Sequence, residues 1–397
     1  MRTEPPAPAT TLALTALRTG AHPTEVSRTW PVIDPPGPDG VPVTFAVRTQ
    51  PGREVMVHLN GVTDVLRSDF AWARLPEVTR DADGSTYAAA WYLPAGLLCG
   101  YRIVVAAYLP PDAGHTREGW LAVHRAGTPD PLAGMTMATP LGGDCSLLAL
   151  PGARLHPAWD EDAVPLTGEP VRTRLTTRVS AWDYGRRDTA VVLFDAEQWE
   201  AVGLPQRLRR LAEPPLILAV DSGTLTHRGE FLPSPGAVAA AVTDALAAWE
   251  DATGRGLRPD DLLATGQSYG GLASVGLVVS GVVRSAFAQS PSLHYVRGQQ
   301  RPPGPATGVG DLVSRVATQA RTGRRFPGRV EMIAGTEEGG MLELARESAP
   351  LLASGGLDVS VASAVGGHDY AWWRHELLFR LERPIRAREA SPAGTTE

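Results

Sequence analysis

The chain has 397 residues, of which 43% are hydrophobic, so it is long enough for two domains with sizeable cores and is not a disordered protein. Its 2 cysteines exclude a disulfide scaffold, and its net charge of −6 argues against a general binder of nucleic acid or anionic membranes. All 37 basic residues are arginine, which excludes lysine nucleophiles and lysine-dependent phosphate loops. No apolar run reaches about 18 residues, and the N-terminus lacks a leader-like apolar segment, so we expect a cytoplasmic protein.

The first half of the chain predicts an all-β domain with irregular flanks. Residues 1–30 are rich in proline and predict a flexible lead. Residues 31–125 contain short β-rich runs separated by turn residues, which is typical of a small β-sandwich; the runs are VPVTFAVR (41–48), EVMVHLNG (54–61), STYAAAWYL (85–93) and YRIVVAAYL (101–109). Residues 126–172 combine many prolines with little periodicity and predict a linker.

Strands and helices alternate from residue 173 to about 386, which indicates an α/β domain with a mostly parallel sheet. The predicted strands are TAVVLFD (189–195), PPLILAVDS (214–222), DLLATG (261–266), RVEMIAG (329–335) and DVSVASAVGG (358–367). Ser234 followed by Pro235 predicts a helix start, with Val238, Val242, Leu246 and Trp249 on one face. Residues 387–397 predict a flexible tail.

The strongest chemical signal is the G-x-S-x-G motif around Ser268, in the segment GQSYGG (266–271). A predicted strand precedes the motif and a helix-compatible stretch follows it, as a nucleophile elbow requires. The sequence therefore predicts an α/β-hydrolase with Ser268 as nucleophile.

A serine hydroxyl needs a base, and in this fold the base follows the acid and the last strand. His368 comes directly after the final predicted strand, whereas His294 comes too early and His375 falls in a predicted helix. The acid should follow the preceding strand, where Glu337 and Glu338 are adjacent. Asp369 and Asp358 are alternatives, as is a Ser–His dyad.

The oxyanion hole needs two backbone N–H groups. Tyr269, directly after the nucleophile, should supply one, and the loop at Ala196 and Glu197 the other. Arg228, after the strand that ends near Asp221, could bind an anionic group or form a structural ion pair, for example with Glu230. The tryptophans near His368 could stack on an aromatic ligand or belong to the core.

Several ordered motifs together resemble the enterochelin (enterobactin) esterase family, cytoplasmic α/β-hydrolases of the esterase D type with an N-terminal β-sandwich. The matching segments are HLNGVTD (58–64), DPL (130–132), LALPGARLHPAWD (148–160), VVLFDAEQW (191–199), THRGEFL (226–232), GQSYGG (266–271), AGTEEGGM (334–341) and GGHDYAWWR (366–374). Two positions depart from the family pattern, Ala196 after Asp195 and Trp372 within the last motif.

The resemblance implies Ser268 as nucleophile, His368 as base and Glu338 as acid. It implies a ligand pocket with Arg228, His227, Trp199 and Trp373. The implied reaction is hydrolysis of a catecholate trilactone siderophore, often as its ferric complex, which frees iron in the cytoplasm. Iron would arrive with the substrate, so we expect no cofactor, no protein-bound metal and no nucleic-acid or membrane partner, in a monomer or weak oligomer.

Two other functions stay open at this stage. The first is an esterase D-type carboxylesterase or acyltransferase that acts on a different ester. The second is a non-catalytic ligand-binding homologue. Convergence of Arg and Trp side chains near Ser268 would favour the trilactone, and a small apolar acyl pocket would favour a different ester.

Overall fold

The computed structural model describes residues 4–140, 143–186, 188–299 and 306–385. Within these ranges the chain forms two antiparallel sheets followed by one large, mostly parallel sheet. The predicted fold class, an α/β-hydrolase preceded by a β-sandwich, is confirmed. The predicted tail at 387–397 lies outside the described residues.

The N-terminal domain is built from short helices and two facing sheets. Its strands are β1 (Val32–Ile33), β2 (Val41–Thr49), β3 (Glu54–Leu59), β4 (Arg74–Leu75), β5 (Glu77–Asp81), β6 (Gly84–Leu93), β7 (Leu98–Ala106), β8 (Gly127–Thr128), β9 (Thr136–Ala138) and β10 (Asp144–Ala149). Its helices are α1 (Leu12–Arg18), α2 (Pro23–Val26), α3 (Val62–Val65) and α4 (Arg117–Ala126). Among the described residues one sheet has the order β1-β2-β6-β5, and the other has the order β4-β3-β7-β10-β9 with β8 beside β7. Apolar side chains of both sheets share one core.

Two predicted boundaries are wrong. The predicted flexible lead contains α1, whose Leu14 and Leu17 are buried against the first sheet, so burial of these side chains orders it. The predicted linker at 126–172 contains β8, β9 and β10, and β10 pairs with β7 in the middle of the second sheet. Prolines flank these strands, so the alternation of apolar and polar residues within them was not recognised in the sequence.

The C-terminal domain alternates strands and helices around its sheet. Its strands are β11 (Val171–Arg174), β12 (Val179–Asp183), β13 (Ala190–Phe194), β14 (Leu216–Val220), β15 (Leu262–Gln267), β16 (Ser285–Gln289), β17 (Gly328–Gly335) and β18 (Leu357–Ala364). Its helices are α5 (Ala196–Ala201), α6 (Leu204–Leu208), α7 (Leu225–Phe231), α8 (Pro235–Thr253), α9 (Tyr269–Ser280), α10 (Asp311–Arg321), α11 (Met341–Ser354) and α12 (Tyr370–Leu381).

In the described chain the large sheet has the order β11-β12-β14-β13-β15-β16-β17-β18. The strands β11, β12 and β14 pair antiparallel, and the pairs from β14 through β18 are parallel. Helices cover both faces, so the central strands are apolar throughout; every residue of β13 is buried. The carboxyl ends of the parallel strands therefore share one edge, where α/β proteins place their sites.

The two domains meet at the loop that follows β18. The backbone N–H of Leu98 in β7 donates to the carbonyl of Val365 at 3.0 Å. A Cβ at Gly61 would lie 2.3 Å from the Cα of Gly367, so the two backbones touch without side chains between them. The N-terminal domain thus packs directly on the loop that carries His368.

Among the described helices, none is by itself long and apolar enough to cross a bilayer. The helices α7 and α8 are long and apolar enough for a bilayer only when taken together, and they are bent by 96° relative to each other.

Candidate active site

Ser268 stands on a sharp turn between β15 and α9. Its φ is +58°, a left-handed value that is strained for a residue with a side chain. A Cβ at Gly266 would lie 2.8 Å from the backbone of Gly270, and one at Gly270 would lie 3.1 Å from the Asp195 carboxylate. Gly266 has no room for a side chain because strand and helix approach so closely there, and a side chain at Gly270 would be tight against β13. The turn is therefore the nucleophile elbow that the sequence predicts.

The end of β16 braces this turn. The backbone N–H of Ser268 donates to Gln289 O at 3.0 Å, and Ser268 Oγ lies 3.3 Å from Ser292 Oγ. Among the described residues, Ser268 Oγ makes no hydrogen bond to His368. Catalytic hydrogen bonds often close only when substrate is bound, so a side-chain rotation has to complete this one.

His368 and Glu338 form the second part of the site. The Nδ1 atom of His368 lies 3.5 Å from Glu338 Oε2, with the histidine side chain 45% exposed and the glutamate side chain fully buried. Glu338 Oε1 accepts a hydrogen bond from Ser290 Oγ at 2.6 Å. Burial raises the pKa of Glu338, and the contacts with His368 and Ser290 oppose this rise. A buried carboxylate in this position orients the imidazole and stabilises its charged form.

The other candidate acids are directed elsewhere. Glu337 lines the same cavity, its carboxylate accepts a hydrogen bond from Thr336 Oγ1 at 3.4 Å, and its backbone N–H donates to Gly366 O. Asp369 accepts hydrogen bonds from Gly100 N and Ala371 N, so it joins the two domains and caps α12. Asp358 is exposed near the start of β18. Glu338 is the carboxylate of this set that contacts His368.

Trp373 packs beside His368 and bonds to the serine that contacts Glu338. Its ring lies edge-on to His368 with centroids 4.7 Å apart, and its Nε1 donates to Ser290 Oγ at 3.0 Å. A chain of donors thus runs from Trp373 through Ser290 to Glu338. Trp373 is buried and is not part of the cavity wall, and its contact with substrate stays a prediction.

Trp199, the other tryptophan predicted in the pocket, also lies behind the site. It is fully buried in α5 and packs edge-on against Tyr370. Both tryptophans lie on helices behind the site, where a large apolar side chain gains more from core burial than from a solvent-facing position. His375, which the sequence places outside the triad, is buried in α12 and accepts a hydrogen bond from the His156 N–H.

Of the three residues predicted to supply oxyanion N–H groups, one lines the cavity and two do not. Tyr269 is the first residue of α9 and lines the cavity beside Ser268. Ala196 and Glu197 begin α5, but neither lines the cavity. The Glu197 carboxylate accepts a hydrogen bond from Ser222 N at 3.1 Å, and burial, the largest influence, raises its pKa to about 7.

Arg228 reaches the cavity wall, but its guanidinium is paired. It donates two hydrogen bonds to Asp195, Nε to Oδ1 at 2.7 Å and Nη2 to Oδ2 at 2.8 Å. The partner is thus Asp195 at the end of β13 rather than Glu230. His227, the neighbouring predicted pocket residue, is exposed on α7, bonds locally to Thr224 and does not line the cavity.

Asp195 organises a buried polar network that the sequence analysis missed. Its carboxylate also accepts hydrogen bonds from Ser222 Oγ at 2.7 Å and from Gln267 Nε2 at 3.1 Å. Gln267 directly precedes the nucleophile and bonds in turn to the hydroxyl of Tyr370. The signal was present, since Asp195 and Arg228 follow neighbouring parallel strands whose carboxyl ends must meet.

Ser268 and His368 open into a cavity of about 820 Å³ that lies between the two domains. The C-terminal domain supplies the triad side and Tyr269, Arg228 and Ser292. The N-terminal domain supplies the opposite side, including Gly61, Asp64, Arg67, His115 and Arg117. The arrangement can bind a bulky, polar ester and attack it with a serine. Nothing in the sequence analysis pointed to the N-terminal side of this cavity.

The family model described as "Enterochelin esterase, N-terminal" matches residues 42–159. The matched range begins within β2 and ends after β10. The predicted resemblance to the enterochelin esterases is thereby confirmed, and the matched range ends beyond β10, which supports including the wrongly predicted linker in the enterochelin-type domain. A search of curated proteins found no match.

Solved enterobactin esterases share the fold across both domains. Ferric enterobactin esterase from Salmonella typhimurium is 22% identical with a TM-score of 0.69, over 90% of this chain and 96% of that one. The enterobactin esterase of Shigella flexneri, solved in the presence of enterobactin, is 21% identical with a TM-score of 0.69, over 91% of this chain and 96% of that one. At these identities the likeness shows the fold.

Proposed function

We propose that this chain is a serine esterase that hydrolyses the ester bonds of a catecholate trilactone siderophore such as enterobactin, carried as its ferric complex. The observation that carries the proposal is the placement of Ser268, His368 and Glu338 on one side of a large cavity of mixed polarity whose other side is formed by an enterochelin-type N-terminal domain. The solved relatives that share the fold are described as enterobactin esterases, one of them in the presence of enterobactin.

The cavity supports a large substrate. Its volume of about 820 Å³ suits a ligand of drug size or above. Arginine side chains converge on it, as expected for a trilactone, but among the described residues the aromatic side chain on its wall is Tyr269 and not a tryptophan. The mixed polar lining is unlike the small apolar pocket expected for a simple acyl ester.

The reaction follows from the residues present. Ser268 Oγ attacks the ester carbonyl carbon while His368 takes the hydroxyl proton, and the negative charge forms on the carbonyl oxygen. The backbone N–H of Tyr269 donates to that oxygen. Collapse breaks the bond to the leaving alkoxide, which receives the proton from His368. Water then repeats the sequence on the acyl-enzyme and releases a carboxylic acid and free Ser268. Glu338 holds His368 and stabilises its imidazolium throughout.

We place this reaction in the cytoplasm. Cys99 and Cys145 are both free and buried, and they are close enough for the charge of each thiolate to affect the other. Unpaired thiols in this position suit a reducing compartment. Cell fractionation with an antibody against the chain tests this placement, and recovery outside the cytoplasmic fraction would contradict it.

The test of function is hydrolysis of ferric enterobactin, followed by chromatography of the products, for wild type, Ser268→Ala and Ser280→Ala. Ser280 lies at the exposed end of α9 and is the matched control. We expect linear or monomeric catechoyl-serine from wild type and Ser280→Ala, and a loss of at least about 10⁴-fold in kcat for Ser268→Ala. Cleavage of p-nitrophenyl butyrate alone would overturn the substrate assignment and keep the esterase. Inactivity on both would overturn the esterase.

A further inference from the structure

The side of the cavity that faces Ser268 belongs to the N-terminal domain and carries two arginines. We propose that Arg67 and Arg117 form an anion-binding subsite that selects esters whose non-reacting part is negatively charged. With the proposed function, on which the identity of the ester rests, this subsite would bind the anionic metal–catecholate part of the substrate. The reacting ester bond would then lie on the other side, at Ser268.

The charges in the cavity show why these two arginines are available. The acidic groups are engaged: Glu338 contacts His368 and Ser290, and Asp64 accepts hydrogen bonds from His58, Trp120 and Gly61 N. Arg228 is neutralised by Asp195. Glu337 on the same wall also has interactions of its own.

Arg67 and Arg117 differ from this pattern. Within the described parts of the chain, neither guanidinium forms an ion pair or a side-chain hydrogen bond, although both line the cavity. Two unpaired positive charges therefore lie on the wall of the cavity that contains Ser268. A cavity with such an excess of positive charge attracts anions.

The fold holds the two arginines on one platform. Arg67 begins the short turn Arg67–Asp69, and Arg117 begins α4 directly after the turn Ala113–His115. These turns pack backbone against backbone, since a Cβ at Gly114 would lie 1.6 Å from Arg67 O. His115 Nε2 and Ser68 O, 3.0 Å apart, add a side-chain contact between them. The two guanidinium groups thus come from two segments that cannot move apart independently.

The position of Arg117 is not explained by the stability of its helix. It is the first residue of α4, after the N-cap Thr116, where the helix dipole disfavours a positive side chain. A bound anion relieves this effect, and catecholate oxygens match the forked donors of guanidinium.

The test compares two esters that differ in charge. The substrates are p-nitrophenyl butyrate, which is neutral, and mono-p-nitrophenyl succinate, which carries a carboxylate. The variants are Arg67→Gln, Arg117→Gln and their double variant, with Arg125→Gln as control because Arg125 is exposed on the same helix and does not line the cavity.

We expect kcat/KM for the anionic ester to fall about 10-fold for each arginine removed, and that for the neutral ester to stay within about 2-fold. Added salt should lower the anionic rate of wild type and of Arg125→Gln more than that of the double variant. The neutral ester is the internal measure of folding.

The outcomes separate the two proposals. A loss confined to the anionic ester supports the subsite whether or not ferric enterobactin is cleaved. An equal loss on both esters, or no loss on either, overturns the subsite even if ferric enterobactin is a substrate. If ferric enterobactin is cleaved, its kcat/KM should fall in the double variant more than that of iron-free enterobactin, and equal falls would also overturn the subsite.

Discussion

The carboxylate of Asp369 accepts a hydrogen bond from the backbone N–H of Gly100 at 2.5 Å, which ties the residue after His368 to a strand of the other domain. The Asn60 side chain bonds to the same carboxylate, and Ala371 N bonds to its second oxygen. The loop that carries His368 is therefore fixed from both domains at once. Asp369 acts as a positioning residue, through His368, rather than as the acid of the triad.

Replacing Asp369 by Asn should lower kcat by about 10-fold and leave KM for p-nitrophenyl butyrate within about 2-fold. The amide would turn one acceptor toward an N–H donor, leaving a buried donor unpaired at a cost of about 1–3 kcal/mol. The measurement is steady-state kinetics beside urea unfolding. Asp358→Asn, at an exposed carboxylate on β18, should change neither, and an equal effect there would contradict the positioning role.

Substitution of each of the two adjacent glutamates by glutamine should lower kcat by different amounts. Glu338→Gln removes the charge that faces His368 Nδ1 and should lower kcat by about 10²- to 10⁴-fold. Glu337→Gln, at a carboxylate on the cavity wall, should lower kcat by less than about 10-fold. Initial rates on p-nitrophenyl butyrate measure both variants. A larger loss for Glu337→Gln would reassign the acid.

Gly61→Ala should weaken both stability and catalysis. Gly61 has a φ of +85°, and an added Cβ would lie 2.3 Å from the Cα of Gly367, next to His368. Strain and overpacking together should reduce the free energy of unfolding by about 2–4 kcal/mol. Gly52 is the matched control, with a φ of +75° and no atom within 4 Å of its Cβ position, so Gly52→Ala carries the strain alone. Urea titration measures the two variants, and equal losses would show that the domain contact contributes nothing.

The stability of the protein should decrease in mild acid because of His375. Burial, together with Arg374 and His156, lowers the pKa of His375 from 6.5 to about 3. Between these values the unfolded chain binds one proton more than the folded chain, so the free energy of unfolding falls as pH falls, by about 1.4 kcal/mol per pH unit. At pH values above about 6.5 this contribution is constant.

His375→Asn removes the titrating group and keeps an acceptor near the His156 N–H. We therefore expect the loss of stability between pH 7 and pH 5 to be smaller in this variant than in wild type, by on the order of 1–2 kcal/mol. His227→Asn, at an exposed histidine, is the control. An unchanged pH dependence in His375→Asn would contradict the assignment. Urea unfolding at the two pH values makes the comparison.

The parts of the fold that were predictable are those with a strong local pattern. The buried parallel strands β13 and β14 are continuous apolar runs, β15 and β17 are mostly apolar, and the helix start at Pro235 has its own signal. The strand β16 was missed because SAFAQ is short and mixed in polarity. The strand β10 was missed because its partner β7 lies far away in sequence, and pairing over such a distance leaves no local pattern.

The residues of the site also divide into those that the sequence pattern predicts and those that it does not. Ser268, His368 and Glu338 follow strands, so chain order alone indicates where they meet. Arg67 lies on a turn of the other domain and Arg117 at the start of α4, and their sequence neighbourhoods do not differ from those of ordinary surface arginines. Trp373 was predicted either to stack on a ligand or to belong to the core, because the sequence cannot tell which face of α12 is turned toward solvent.

The contact between Gly61 and Gly367 has a consequence for the history of the chain. The two glycines belong to different domains, yet neither can acquire a side chain while the other domain keeps its present position. An N-terminal domain taken from another protein would have to bring a bare backbone to the same point to leave the histidine loop undisturbed. The two halves are therefore expected to be inherited together, and recombination between them should rarely yield an active enzyme.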